Sequence, residues 1–84
     1  MTRLWKKGVL IVVETDDRGQ PMSFEWNEQR HPIAACHNRW RVDVSWWTLR
    51  RWREHFKVTT TTGLLVIIYQ DLVDDQWYLQ RLYD

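Results

Sequence analysis

One cysteine, Cys36, is all the thiol this 84-residue chain possesses. An internal disulfide is excluded, and a lone thiol fits the reducing cytoplasm better than a secreted, cross-linked scaffold. No apolar run approaches the roughly 18 residues that a membrane helix requires. The longest runs, Val9–Val13 and Leu64–Tyr69, are strand-sized. The basic start from Met1 to Gly8 leads into too short an apolar stretch for a secretory leader, with no small-residue cleavage site. Neither sign of charge dominates, since the formal net charge is +1. That balance argues against strong nonspecific attraction to nucleic acid. Internal repeats and linker-like stretches are absent, so residues 1–84 read as a single small domain.

The signatures of catalysis and of cofactor binding are missing as well. There is no phosphate loop, nucleophile elbow or dinucleotide fingerprint. His31, Cys36, His37 and His55 are the metal-ligand candidates besides carboxylates, but they lack the paired spacing of a tetrahedral zinc site. Cys36 and His37 are neighbours, and neighbours on a strand diverge, so a Cys36/His37/Asp43 nucleophile set does not converge. The histidines read as surface imidazoles and Cys36 as a buried thiol. Asp16/Asp17 and Asp74/Asp75 fall in turn-like segments, where Asp serves local backbone hydrogen bonding. The expectation is a protein without enzymatic activity, metal or cofactor.

Against these absences stand seven tryptophans: Trp5, Trp26, Trp40, Trp46, Trp47, Trp52 and Trp77. Each indole hides about 150–250 Å² when packed and carries an N–H that needs an acceptor. A domain of this size hides only about 60% of the surface its unfolded chain exposes. Some rings must therefore lie at the boundary, where aromatics serve recognition. The chain reads as a binding module.

Period-two patterning dominates. Val9–Val13 is β-branched, Met22–Asn27 alternates, and Ile33 to Trp46 places Ala34, Cys36, Trp40, Val42, Val44 and Trp46 on one side. Trp52 to Thr61 puts Phe56 and Val58 on one side and Arg51, Arg53, His55 and Lys57 on the other. Leu64–Tyr69 and Gln76–Tyr83 complete six extended segments. Turn chemistry separates them at Asp16–Gly19, Asn27–Glu28, Thr61–Gly63 and Asp71–Asp75. So many short strands in so small a chain predict a mainly β fold, a strongly bent antiparallel β-barrel of the SH3-like kind. The runner-up is an open sheet carrying one short helix near residues 45–54. There Trp46, Leu49, Trp52 and Phe56 also fit helical spacing and Ser45 could cap.

Charge is unevenly laid along the chain. Residues 9–29 hold Arg18 against Glu14, Asp16, Asp17, Glu25 and Glu28, a net −4. Residues 30–57 hold seven cations against Asp43 and Glu54, a net +5. If Ile33–Val44 and Arg50–Thr61 are antiparallel neighbours, Arg39, Arg41, Arg51, Arg53 and Lys57 can share one face. Such a face has three readings: a solvated strand surface balanced by flanking acids, a track for single-stranded nucleic acid with tryptophans stacking on bases, or a dock for an acidic protein. Trp46 and Trp47 must point to opposite sides of a strand, so one ring is pushed outward beside arginines, as a contact anchor or as a lid under an arginine. The candidate partner-binding residues are Arg39, Arg41, Trp46, Trp47, Arg51, Arg53 and Lys57. A homodimer through tryptophan-rich surface is a further possibility.

The second half carries a recognisable cadence: Phe56-Lys57-Val58, the turn at Gly63, Tyr69-Gln70-Asp71, and Trp77-Tyr78-Leu79 with Tyr83-Asp84. Together with Phe24-Glu25-Trp26 and the Trp46-Trp47 pair, it resembles an uncharacterised bacterial domain family. Members occur as small proteins or as the tail of Y-family translesion DNA polymerases. The sequence departs from the pattern around Asn27–His37, where Glu28 and Pro32 replace a glycine turn and an aromatic strand. By association, the resemblance implies an accessory of DNA repair and translesion synthesis whose partner is a protein of that machinery, with nucleic acid as the alternative.

Overall fold

Six strands follow one another along the chain, and each pairs antiparallel with its neighbours. The computed structural model describes residues 3–46 and 49–83, with the backbone alone at 3, 5–7, 44–46 and 49–51. The strands are β1 (Arg3–Thr15), β2 (Pro21–Trp26), β3 (Gln29–Trp46), β4 (Leu49–Thr60), β5 (Leu65–Asp71) and β6 (Gln76–Tyr83). Pairing of β6 back onto β1 closes the barrel in the order β1-β2-β3-β4-β5-β6. The result is a small antiparallel barrel consistent with the SH3-like kind.

Local chemistry places the turns where the sequence puts them. Asp16 accepts the N–H groups of Arg18 and Gln20 through one carboxylate oxygen, both at 2.9 Å. Asn27 and Glu28 both have positive φ, 55° and 61°, and join Trp26 to its partner Gln29, which is the pattern of the type I′ hairpin turn. Asp71 and Asp74 each accept the N–H two residues on, from Val73 and Gln76. Gly8 is required by its surroundings. Its φ is +73°, and a Cβ there would lie 2.8 Å from the Tyr69 hydroxyl and from Cβ of Tyr78.

The core consists of Ile11, Phe24, Phe56, Val58, Val66, Ile68, Trp77, Leu79 and Leu82, every strand but β3 contributing a buried member. Strand β3 supplies the partly buried Ile33. The short-helix alternative is overturned where the structure describes it. Ser45 and Trp46 end β3, and Leu49 to Glu54 belong to β4. The helical spacing there arises from a hairpin in which Trp46 pairs with Leu49 and Asp43 with Trp52. Among the described residues no helix is long and apolar enough to cross a membrane.

Candidate protein-binding hairpin

β3 and β4 are longer than the barrel needs, and the excess positions the candidate site. The β4–β5 ladder runs from Thr59↔Leu65 to Arg53↔Asp71. The β3–β4 ladder continues through Asp43↔Trp52, Val44↔Arg51, Ser45↔Arg50 and Trp46↔Leu49. The two strands thus project past β5 as a hairpin. On its other side β3 pairs with β2 only from Gln29 to Pro32. From Ile33 onward that edge has no strand beside it among the described residues.

The five cations expected on one face do not share it. Register slips between Ile33 and Ala35 and again between Cys36 and Asn38. Each such irregularity resets which side a residue faces. Past the second slip Arg39 pairs with the core residue Phe56 and Arg41 with Glu54, while Trp40 pairs with His55 and Val42 with Arg53. Arg39 and Arg41 therefore lie on the core-facing side of the hairpin, and Arg53 and Lys57 on the opposite side. The even positions Trp40 and Val42, expected inside, go with the second group. Trp47 lies outside the described residues, and Trp46 and Arg51 are described in backbone alone.

On the core-facing side, Glu54 is buried and gathers both arginines. Arg39 Nε donates to its Oε1 at 2.6 Å and Arg41 Nε to its Oε2 at 2.9 Å. Burial alone would raise the Glu54 pKa, but the hydrogen bonds and charges of Arg39 and Arg41 outweigh it and hold the carboxylate below its ordinary value. The Arg39 guanidinium also lies 5.3 Å above the Phe56 ring. Glu54 thus fixes two long side chains whose outer surfaces stay open to solvent. Two residues before Glu54, on the same side, Trp52 is 39% exposed.

On the opposite side, four rings stack across four strands. Trp40, His55, Tyr69 and Tyr78 meet at centroid distances of 5.3, 5.1 and 5.1 Å, each pair nearly parallel. The Arg53 guanidinium sits 4.9 Å above Tyr69, and Lys57 Nζ 5.4 Å above Tyr83. These cations act as lids on aromatic rings, each such contact contributing about 0.5–1 kcal/mol at an exposed site. His55 is buried rather than a surface imidazole, and burial, aided by the nearby Arg53 charge, pushes its pKa down. Burial likewise raises the Tyr69 hydroxyl.

The remaining candidates also find their places. Cys36 is exposed, not buried, its thiol 3.4 Å from the Asn38 carbonyl beside the second register slip. His37 is exposed and meets Thr59 Oγ1 at 3.1 Å. His31 is buried between Trp26 and Thr62. Its Nε2 donates to the Trp26 carbonyl at 3.3 Å, and its Nδ1 lies 2.7 Å from the Thr62 hydroxyl. No group of three or more His, Cys, Asp or Glu side chains among the described residues could hold a metal ion.

Two residues of this site escaped the sequence reading: Glu54 and Trp52. Glu54 is one of two acids amid seven cations in residues 30–57, and that isolation was the available signal. Comparison with protein-family models, curated proteins and solved structures returned no match.

Proposed function

We propose that the protein is a non-catalytic interaction module that takes a protein partner on the projecting β3–β4 hairpin. The observation that supports this reading is the overhang itself: a long strand edge with backbone groups open from Ile33 onward, backed by a face carrying Trp52, Arg39 and Arg41. An extended partner segment can add to such an edge through main-chain hydrogen bonds and take its specificity from side-chain contacts. Trp52 supplies an anchor, and arginines held in place by Glu54 lose little freedom on binding. The sequence resemblance points to a partner in the DNA-repair and translesion-synthesis machinery, of which a Y-family polymerase is the first to test. Direct binding of single-stranded DNA draws less support. Arg39 and Arg41 share their charge with Glu54, and Arg53 and Lys57 cover rings on the other side.

The test is a pair of titrations of fluorescently labelled protein. One uses a purified Y-family polymerase from the same cells, the other single-stranded DNA at about 50 and about 200 mM salt. The reading expects saturable polymerase binding that weakens about thirtyfold in Trp52→Ala, the ~2 kcal/mol of a contact hot spot. Unchanged affinity in that variant, with its fold intact, would remove the hairpin as the docking element. DNA binding that collapses at the higher salt, with none to polymerase, would transfer the function to nucleic acid.

A further inference from the structure

We infer a second docking site on the opposite edge of the sheet, where β1 accepts an extended, basic peptide strand. Strands β3, β4, β5, β6 and β1 form one continuous ladder, so β1 is its other border. β1 pairs with β6 at Arg3–Leu4 and at Val9–Ile11, with a register shift between them, and with β2 from Val12 onward. Over its first half, the side away from β6 has no strand beside it among the described residues. Residues on an edge strand alternate in presenting N–H and C=O outward, so this stretch offers a partial row of open donors and acceptors.

The lane beside that edge is shaped. A cleft of about 350 Å³ opens between Val9–Val12 and the β2–β3 turn. Val9, Ile11 and Trp26 line it and also pack against the core, which makes its floor apolar. Leu10 and Val12 stand 61% and 66% exposed on the neighbouring surface of β1. Glu25 and Glu28 line the cleft as well, both exposed and neither bonded to another side chain among the described residues. The turn that carries Glu28 takes the chain away from β1 just past Trp26, where β2 would otherwise continue beside Leu10. A guest strand entering the lane lies end-on to β2 and uses the hydrogen-bonding positions that β2 leaves open.

Charge selects the guest. Glu25 and Glu28 are the acids at the cleft, and no cation is among the residues that line it. The complementary ligand is a strand of alternating apolar and Lys or Arg residues, with apolar side chains on the floor and cations toward the two carboxylates. This site is separate from the β3–β4 hairpin, and the two can be tested apart.

The probe is a synthetic strand-length peptide of alternating valine and lysine, titrated into the isotopically labelled whole protein and followed by amide shifts. The inference expects saturable binding with shifts centred on Val9–Val12 and Glu25–Glu28. Affinity should fall at least tenfold in Glu25→Lys/Glu28→Lys and stay unchanged in Trp52→Ala. A peptide of alternating valine and glutamate, and a valine–lysine peptide N-methylated at every second amide, should each bind at least tenfold more weakly. Equal binding of the N-methylated peptide would reduce the effect to charge adhesion and overturn the inference. So would the absence of saturation, or shifts confined to other strands.

Discussion

Arg39 donates through Nε to Oε1 of Glu54 at 2.6 Å, across the β3–β4 ladder and beside the rim of the core. Because Arg41 holds the other carboxylate oxygen, either arginine alone leaves Glu54 partly satisfied. Removing both strands a buried carboxylate. Arg39→Ala and Arg41→Ala should each cost about 1 kcal/mol, whereas the double variant should lose about 3 kcal/mol. The excess over additivity is the expected signature of a shared partner. Urea unfolding of the four proteins measures it, and simple additivity would mean that Glu54 does not couple the two.

His55 makes stability depend on pH in a defined direction. Its folded-state pKa lies below the ordinary value of 6.5 because it is buried, with the Arg53 charge pushing the same way. The unfolded chain therefore takes up the proton first. The stabilisation is complete above about 6.5 and is lost as pH falls from there through the folded value. Melting temperature should drop between about pH 7 and 5, and His55→Phe should flatten that drop. An equally steep drop in the variant would assign the effect to other groups.

Gly8 and Gly19 separate strain from crowding. Both have positive φ, but a Cβ at Gly19 meets nothing within 4 Å, whereas at Gly8 it runs into Tyr69 and Tyr78. Gly19→Ala should cost about 1 kcal/mol. Gly8→Ala adds overpacking against the four-ring stack and should cost about 3 kcal/mol, a melting-point fall on the order of 10 °C or more. Similar losses in both variants would contradict the close approach at Gly8.

The β2–β3 turn offers the reverse experiment. Asn27 tolerates its left-handed conformation, but Glu28 at φ 61° does not suit it. Glu28→Gly should stabilise the barrel by about 1 kcal/mol through the Asn-Gly turn that this hairpin type favours. Chemical unfolding reads the change directly, and a loss of stability would mean that the Glu28 side chain contributes contacts of its own.

How much of this was readable from residues alone follows from how local each signal is. The turns at Asp16–Gly19 and Asn27–Glu28 were legible because a short-range Asx bond or a left-handed residue decides them. The side on which Arg39 and Arg41 lie was not. It depends on register slips near Ala34 and His37, and neither residue carries a bulge signal of its own. His55 read as a surface residue because its position alternates with Phe56. Its burial comes from Trp40 and Tyr69 on two other strands, a contact that only the assembled sheet creates. Trp52 and Glu54 were hidden for the same reason, since their importance arises from where β5 stops beside β4.

Amide hydrogen exchange along β3 in a complex with a Y-family polymerase tests the central claim most directly. Strand addition predicts that every second amide between Asn38 and Asp43 slows at least tenfold on binding, while β5 and β6 stay unchanged. Exchange along β3 that is identical in the free and mixed samples, or protection confined to β5 and β6, would contradict it.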